Sequence, residues 1–104
     1  MIVTTTNSVE GRAVAQYLSV VCAQSVLGVN AFKDISAGMR NVFGGRSKSY
    51  ENELAGGVSS VLEELERQGA ALGADAVLSV DIDYETVGSN MLMVSASGPA
   101  VQLG

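Results

Sequence analysis

The chain of 104 residues carries six Lys and Arg against eleven Asp and Glu, no His, one Cys and one Pro, for a net charge of −5. This length fits one domain, residues 1–104, that buries about 65% of the surface its unfolded chain exposes. The acidic balance argues against a nucleic-acid partner, and the lack of His with a single Cys excludes His-based catalysis and an internal disulfide.

The first half of the chain predicts two strands and a short helix. Residues 1–6 are rich in β-branched side chains and end at a turn signal, whereas the valine-rich residues 13–27 predict a long strand. One face of this strand carries Val14, Leu18, Val20, Cys22 and Val26, and the other carries Tyr17, Val21, Ala23 and Leu27. A single helical layer covers only one apolar face, so the other face points to a partner chain. Asp34 is an N-cap candidate for a short helix that Gly44 ends.

The clearest helix is predicted over residues 47–72. Its apolar side chains recur at spacings of three, four or seven, while glutamates occupy the other sides. The pair Gly56 and Gly57 costs about 1 kcal/mol per glycine relative to alanine, so we expect a neighbouring element to approach closely there. Gly73 closes the helix.

The last third predicts antiparallel strands. Residues 76–86 alternate cleanly, residues 87–90 form a turn, and residues 91–97 return. Joining the apolar faces pairs Tyr84 with Leu92 and Ile82 with Val94. Gly98 and Pro99 bend the chain before a final strand over residues 100–103. The expected fold is therefore α+β, an antiparallel sheet with one long helix packed across it.

The composition favours an assembled, cytoplasmic protein. Residues 1–6 lack the basic region of a signal peptide, and polar residues interrupt the longest apolar stretch, so no membrane segment is expected. Only 16% of the residues are charged, against about 25% in a typical domain. Because so little polar surface would cover a monomer poorly, we expect a homo-oligomer.

Several stretches resemble the YbjQ family of small bacterial proteins. They are Leu27-Gly28-Val29-Asn30, Phe43-Gly44-Gly45-Arg46-Ser47 with Tyr50-Glu51, Leu72-Gly73-Ala74-Asp75-Ala76-Val77, and Met91-Leu92-Met93-Val94 with Ser97-Gly98. The resemblance implies a subunit fold similar to that of dodecin and a ring-like pentamer. The family is labelled as heavy-metal-binding but brings no established activity. This chain departs from it at Pro99, where the family usually has Thr, and proline has no N–H to donate to a strand.

A basic segment precedes the long helix. Residues 33–48 contain four basic side chains and one carboxylate, so this segment carries +3 and the remaining chain −8. The four basic residues are Lys33, Arg40, Arg46 and Lys48. Gly44, Gly45, Arg46 and Ser47 lead directly into the helix, whose free N–H groups and dipole favour an anion. With Arg40 they form the predicted site for a small anionic ligand. The alternative is structural: Arg46 pairs with a neighbouring subunit's acids, and the glycines serve the turn.

The remaining candidates concern metals and catalysis. Asp81, Asp83 and Glu85 share one strand face and could hold a hard cation, while Met91 and Met93 lie on the same face as soft donors. One thiolate, Cys22, and no imidazole leave too few ligands for a tight zinc site, so we expect neither a metal site nor a cofactor. No nucleophile has a base beside it. A metal-binding protein, as the family label implies, and an enzyme with an inter-subunit active site remain alternatives to a binding or structural module.

Overall fold

The computed structural model describes residues 1–27, 48–88 and 91–104. Its elements are β1 (Ile2–Val3), β2 (Val14–Leu27), α1 (Lys48–Ala71), β3 (Ala76–Val77), β4 (Asp81–Val87) and β5 (Met91–Leu103). The predicted α+β class, with one long helix on a sheet, is confirmed. The short helix predicted from Asp34 lies outside the described residues.

Strand β5 is the centre of the sheet. It pairs antiparallel with β2 along one side and with β3 and then β4 along the other. β1 pairs with β3 in parallel, so the sheet is mixed, and this pair is the exception to the expected antiparallel order. Strands β2 and β4 therefore each have one edge without a partner strand among the described residues.

The core lies between α1 and the face of the sheet that we call the inner face. Val61 and Leu65 of the helix are almost fully buried, as are Val94 of β5 and Val77 of β3. A Cβ at Gly57 would lie 3.2 Å from Val94 Cγ2, which is the close approach expected at the glycine pair. The helix ends where Gly73 takes a φ of +81°, a conformation that glycine adopts without strain.

The described residues cover the opposite, outer face of the sheet at one end only. There Leu78, Val101 and Leu103 are buried, with Val9 and Val14 packed against them. At the other end, Val20 and Val26 of β2 are 71% and 53% exposed. The expectation that α1 covers one side of β2 and leaves apolar residues on the other is thus met.

The predicted face of Tyr17 is wrong. We expected it beside Val21, but Tyr17 pairs with Val101, an outer-face residue, and is 72% exposed. The cause is a register irregularity between Tyr17 and Ser19, where Leu18 is an extra residue. Such a bulge reverses the alternation of side chains, so a strict period of two assigns the wrong face on its far side.

The strand predicted over residues 76–86 is two strands. The break is at Ser79, whose φ of +49° is rare for a residue other than glycine. The N-terminal segment bonds there in place of a strand, since Ser79 N–H donates to Thr6 O (2.8 Å) and Val80 N–H donates to Thr4 O (3.0 Å). Leu78 and Val80 are both buried but on opposite faces, Leu78 in the outer cluster and Val80 in the core beneath α1, so the apolar alternation of the sequence continues although the face changes at the break.

The predicted register of the β4–β5 hairpin is also wrong, by two residues. Tyr84 pairs with Val94 and Ile82 with Ala96, and Val87 belongs to β4, opposite Met91. A shift of two leaves every side chain on the same face, so the hydrophobic pattern alone did not distinguish the two registers.

Strand β5 continues without a break through Gly98 and Pro99, where we expected a bend between two strands. A Cβ at Gly98 would lie 2.5 Å from Leu78 O, so glycine allows the two backbones to approach. Leu78 N–H donates to Pro99 O (3.0 Å), and proline makes no return bond. Proline therefore leaves no N–H to donate at the gap between β3 and β4, a place in the sheet that tolerates proline.

Candidate functional site

The predicted anion site can be described only at its helical end. Arg40, Gly44, Gly45, Arg46 and Ser47 all lie outside the described residues. The helix they were expected to precede begins at Lys48, one residue after Ser47, and has Glu51 in its first turn. Its start therefore agrees with the prediction, and the ligand site itself stays a prediction.

A row of acidic side chains runs along the outer face of β4. Asp81, Asp83 and Glu85 alternate with inward residues, and they lie opposite Ser97, Ser95 and Met93 of β5. The hydrogen bond that protonated Asp83 donates to the Asp81 carboxylate, together with the charges of Asp81 and Glu85, raises the pKa of Asp83. The acidic row is therefore a surface of like charges, on which Asp83 takes up a proton at a higher pH than an ordinary aspartate does.

The metal donors considered above do not gather. Among the described residues, no three His, Cys, Asp or Glu side chains come close enough to hold one ion. Cys22 is exposed on β2 and lies level with Ser97 and Asp81, which places it about 10 Å from Asp81 across two strand spacings. Met93 lies opposite Val26, four residues further along β2. A soft-metal site would need donors from symmetry-related copies.

An open groove runs between the free edge of β2 and α1. Its volume is about 630 Å³, and its lining residues are Cys22, Ala23, Gln24, Ser60, Glu63, Glu64, Arg67 and Gln68. The strand supplies one wall with its backbone edge, and the helix supplies the other with polar side chains. The groove is thus open to an extended chain on one side and offers hydrogen-bonding groups on the other.

Gln68 ties the helix to this strand edge. Its side-chain amide donates to Cys22 O (2.8 Å) and accepts from Cys22 N–H (3.3 Å). These are the two bonds that a residue of an added strand would make, so Gln68 closes the edge at this position. The same amide donates to Glu64 Oε1 (3.2 Å), which fixes its orientation.

Glu64 is the centre of this polar network. Arg67 Nε donates to Glu64 Oε2 (2.8 Å), and a second guanidinium nitrogen binds Oε1 in a bidentate pair. The hydrogen bonds from Arg67 and Gln68 lower the pKa of Glu64 to about 2. The same pair raises the pKa of Arg67. Because the positive charge of Arg67 balances the ionised Glu64, the net negative charge of the groove comes from Glu63.

Sequence reasoning missed Gln68. The signal that could have found it is a gap in the apolar stripe of the helix, which runs through Val61 and Leu65 and resumes at Leu72. Gln68 holds the stripe position between them and is half-buried. A long polar side chain in an apolar stripe needs a hydrogen-bonding partner, and here the partner is the backbone of β2.

Comparison with known proteins supplies the family and the fold. The family model described as "Putative heavy-metal-binding" matches residues 1–104. A UPF0145 protein of Clostridium kluyveri is 55% identical over 103 residues, 97% of each chain, and one of Acetivibrio thermocellus is 50% identical over the same span. A crystal structure of a protein of unknown function from Pediococcus pentosaceus superimposes with a TM-score of 0.71 over 100% of this chain and 98% of its own, at 20% identity. No helix in the described part of the chain is long and apolar enough to cross a bilayer.

Proposed function

The chain belongs to the YbjQ family, and on that basis we propose that it is a homo-oligomeric binding or structural module, a pentamer by preference, that holds a small anionic ligand at residues 44–47. The observation that carries the assembly is the unpartnered, apolar strand β2. Its edge is free of strand partners among the described residues, and Val20 and Val26 project from its outer face into solvent. Long exposed edges with apolar side chains are surfaces that a second chain covers.

An interface of ordinary size would supply the energy for assembly. Burying about 800 Å² per subunit, of which about 60% is apolar, gives on the order of 12 kcal/mol before the costs of association. Light scattering at micromolar concentration tests this directly, and we expect the mass of a closed oligomer. A monomeric mass would refute the assembly.

The anionic ligand rests on charge and on the start of α1. The basic segment carries +3 in a chain that is otherwise −8, and its arginine and glycines lie next to the N-terminus of a helix of 24 residues. Free N–H groups in the first turn and a guanidinium together suit phosphate or carboxylate. The lead candidate is a small phosphorylated or carboxylated molecule.

Thermal unfolding in phosphate and in chloride at matched ionic strength tests the ligand. Millimolar phosphate should stabilise the parent by mass action, Arg46→Lys should weaken the effect, and Arg46→Ala should abolish it. Matched ionic strength removes simple screening, which acts for both salts. Equal phosphate stabilisation of the parent and Arg46→Ala would exclude the site.

Metal binding is the second candidate, because the family description names it. Its support in this chain is the outer face, where Cys22 and the acidic row of β4 lie on one surface that a ring would repeat around its axis. Metal analysis of protein purified without a tag decides between the candidates. A transition metal at near one equivalent per chain would favour metal binding over the anion site.

A further inference from the structure

In the described part of the chain, β2 and β4 each have an edge without a partner strand, and these two edges lie at the same level along β5. Through the central strand, Cys22 of β2 is level with Asp81 of β4, and Leu27 is level with Thr86. The groove beside β2 opens at this level, since Cys22, Ala23 and Gln24 line it. One molecule thus presents an open edge with a groove on one side and an open edge of matching length on the other.

Strand β4 extends past the cover of its own helix. α1 packs on β2 and β5, and on the inner face of β4 Tyr84 is 56% exposed while Ile82 is half-buried. Among the described residues, nothing buries Tyr84. An aromatic ring on the inner face of an edge strand therefore lacks the helix that covers the equivalent face of β2.

We propose that β4 of a second copy adds to the free edge of β2 and places its Ile82 and Tyr84 in the groove beside α1. This inference rests on the proposed assembly and names the surfaces that make it. The added strand continues the sheet, and the helix of one copy covers the inner face of the next. Each copy uses a different surface on each side, so the contact is heterologous and closes as a ring.

The chemistry of the groove fits this occupant. Ser60 and Glu63 line its helical side, and a tyrosine brings an apolar ring with a hydroxyl that bonds to such groups. The acidic row of β4 points to the outer face, where the neighbouring β2 side chains, Cys22 and Gln24 among them, are uncharged. The acidic row therefore meets no like charge on β2.

Pairing of β2 with β2 of a second copy fits less well. It would bring the polar flanks of two α1 helices together, with Glu63 facing its own copy in a like-charge contact. It would also leave Tyr84 exposed on both molecules. The inner face of β2 is already covered by its own helix, so this arrangement buries little that is apolar.

Gln68 marks the lower end of the docking edge. Its amide occupies both edge groups of Cys22, the residue that is level with the first residue of β4. In a ring whose axis runs along the strands, levels are kept from copy to copy. The added strand then pairs with β2 on the C-terminal side of Cys22, and Gln68 binds the edge groups of β2 where β4 begins.

Two proline variants test the pairing. Because Cys22 directs its N–H to the free edge, alternation directs the N–H of Gln24 there too. The N–H of Thr86 faces the free edge of β4, because the residues on either side of it, Glu85 and Val87, direct their backbone groups to their partners Met93 and Met91 of β5. Gln24→Pro blocks the β2 edge and Thr86→Pro blocks the β4 edge, in each case without removing a backbone hydrogen bond between described residues. Gln24→Ala and Thr86→Ala are the matched controls, which keep the N–H.

For each proline variant alone, the protein concentration at half-assembly should rise at least about tenfold, so that the variant is monomeric at concentrations where the parent is assembled. Both alanine controls should assemble like the parent. An equimolar mixture of Gln24→Pro and Thr86→Pro should give a heterodimer and nothing larger, because one intact edge of each kind remains. If Thr86→Pro assembles as well as the parent, or the mixture stays monomeric, the pairing is wrong. If the parent itself is a monomer, the proposed assembly fails with it, which distinguishes the two failures.

A charge pair provides an independent variant in case a proline variant does not fold. Tyr84→Glu places a carboxylate against Glu63 of the neighbour and should dissociate the assembly, and combining it with Glu63→Lys should restore assembly. Tyr84→Phe, which loses only the hydroxyl, should stay assembled. Circular dichroism verifies that each variant is folded. Assembly of Tyr84→Glu at the parent's concentration would overturn the proposal.

Discussion

Two adjacent glycines in the middle of α1 should respond oppositely to alanine. Outside the backbone of its own helix, a Cβ at Gly56 would meet no atom of the described residues within 4 Å, so Gly56→Ala adds only the helix preference of alanine, about 1 kcal/mol. A Cβ at Gly57 would lie 3.2 Å from Val94 Cγ2 and 3.8 Å from Leu27 Cδ2. Val94 is fully buried on the central strand, so it has little room to move.

The expected magnitudes follow from these distances. For a chain of this size, 1 kcal/mol shifts the unfolding midpoint by about 4–8 °C, so Gly56→Ala should unfold that much above the parent. Overpacking a core costs about 1–3 kcal/mol. This cost cancels or exceeds the helix preference of alanine at Gly57. The free energy of unfolding of Gly57→Ala should therefore equal that of the parent or be up to about 2 kcal/mol lower.

Calorimetry of the parent and both variants at one protein concentration measures the difference, and the double variant should equal the sum of the two if the sites act independently. Chemical denaturation with an unchanged slope shows that the native state, rather than the unfolded one, has changed. Equal stabilisation by both substitutions would refute the close approach of α1 to β5. A loss of stability in Gly56→Ala would refute its exposure.

Three further substitutions test the described contacts. Gly98→Ala should destabilise the fold by about 3 kcal/mol in denaturant titrations, because its Cβ would lie 2.5 Å from Leu78 O; an unchanged midpoint would contradict that approach. Arg67 lowers the native pKa of Glu64 from 4.5 to about 2, so the contribution of Glu64 to folding stability is present above pH 4.5 and is lost as the pH falls toward 2. Glu64→Gln should therefore melt below the parent at pH 7, and the difference in melting temperature should vanish near pH 2. The native pKa of Asp83 is raised above 3.8, so the charged form of Asp83 opposes folding. Asp83→Asn should therefore melt at a higher temperature than the parent at pH 7, whereas the two should melt alike below pH 3.8. An unchanged melting temperature at pH 7 would argue against repulsion between Asp83 and its acidic neighbours.

Local patterns predicted the elements that depend on local rules. The helix was expected over residues 47–72 and is Lys48–Ala71, because its apolar spacing and the closing Gly73 are both short-range signals. The long strand over residues 13–27 is Val14–Leu27 for the same reason. The close approach at Gly57 also followed from the sequence, since a glycine inside a helix costs stability and is often kept where a neighbouring element lies close.

What the patterns missed depends on tertiary contacts. The break at Ser79 is imposed by the N-terminal segment, which bonds to the backbone there, and no local signal separates it from a continuous strand. The hairpin register is invisible to a period of two. The role of Gln68 requires knowing that the helix lies beside the edge of β2. The predicted ligand loop, with Arg46, remains a prediction from charge and spacing.

The position of β5 in the chain has a consequence for folding. The strands β2, β3 and β4 all pair with β5, yet β5 comes after them in the sequence, and Cys22 and its partner Ser97 are 75 positions apart. On the ribosome, no strand can pair with β5 until β5 has emerged, so the valine-rich β2 and the helix α1 leave the ribosome before the central strand on which both pack. Folding of the sheet is therefore concentrated into one late step with high contact order. This predicts that the nascent chain depends on chaperones until its last strand is released.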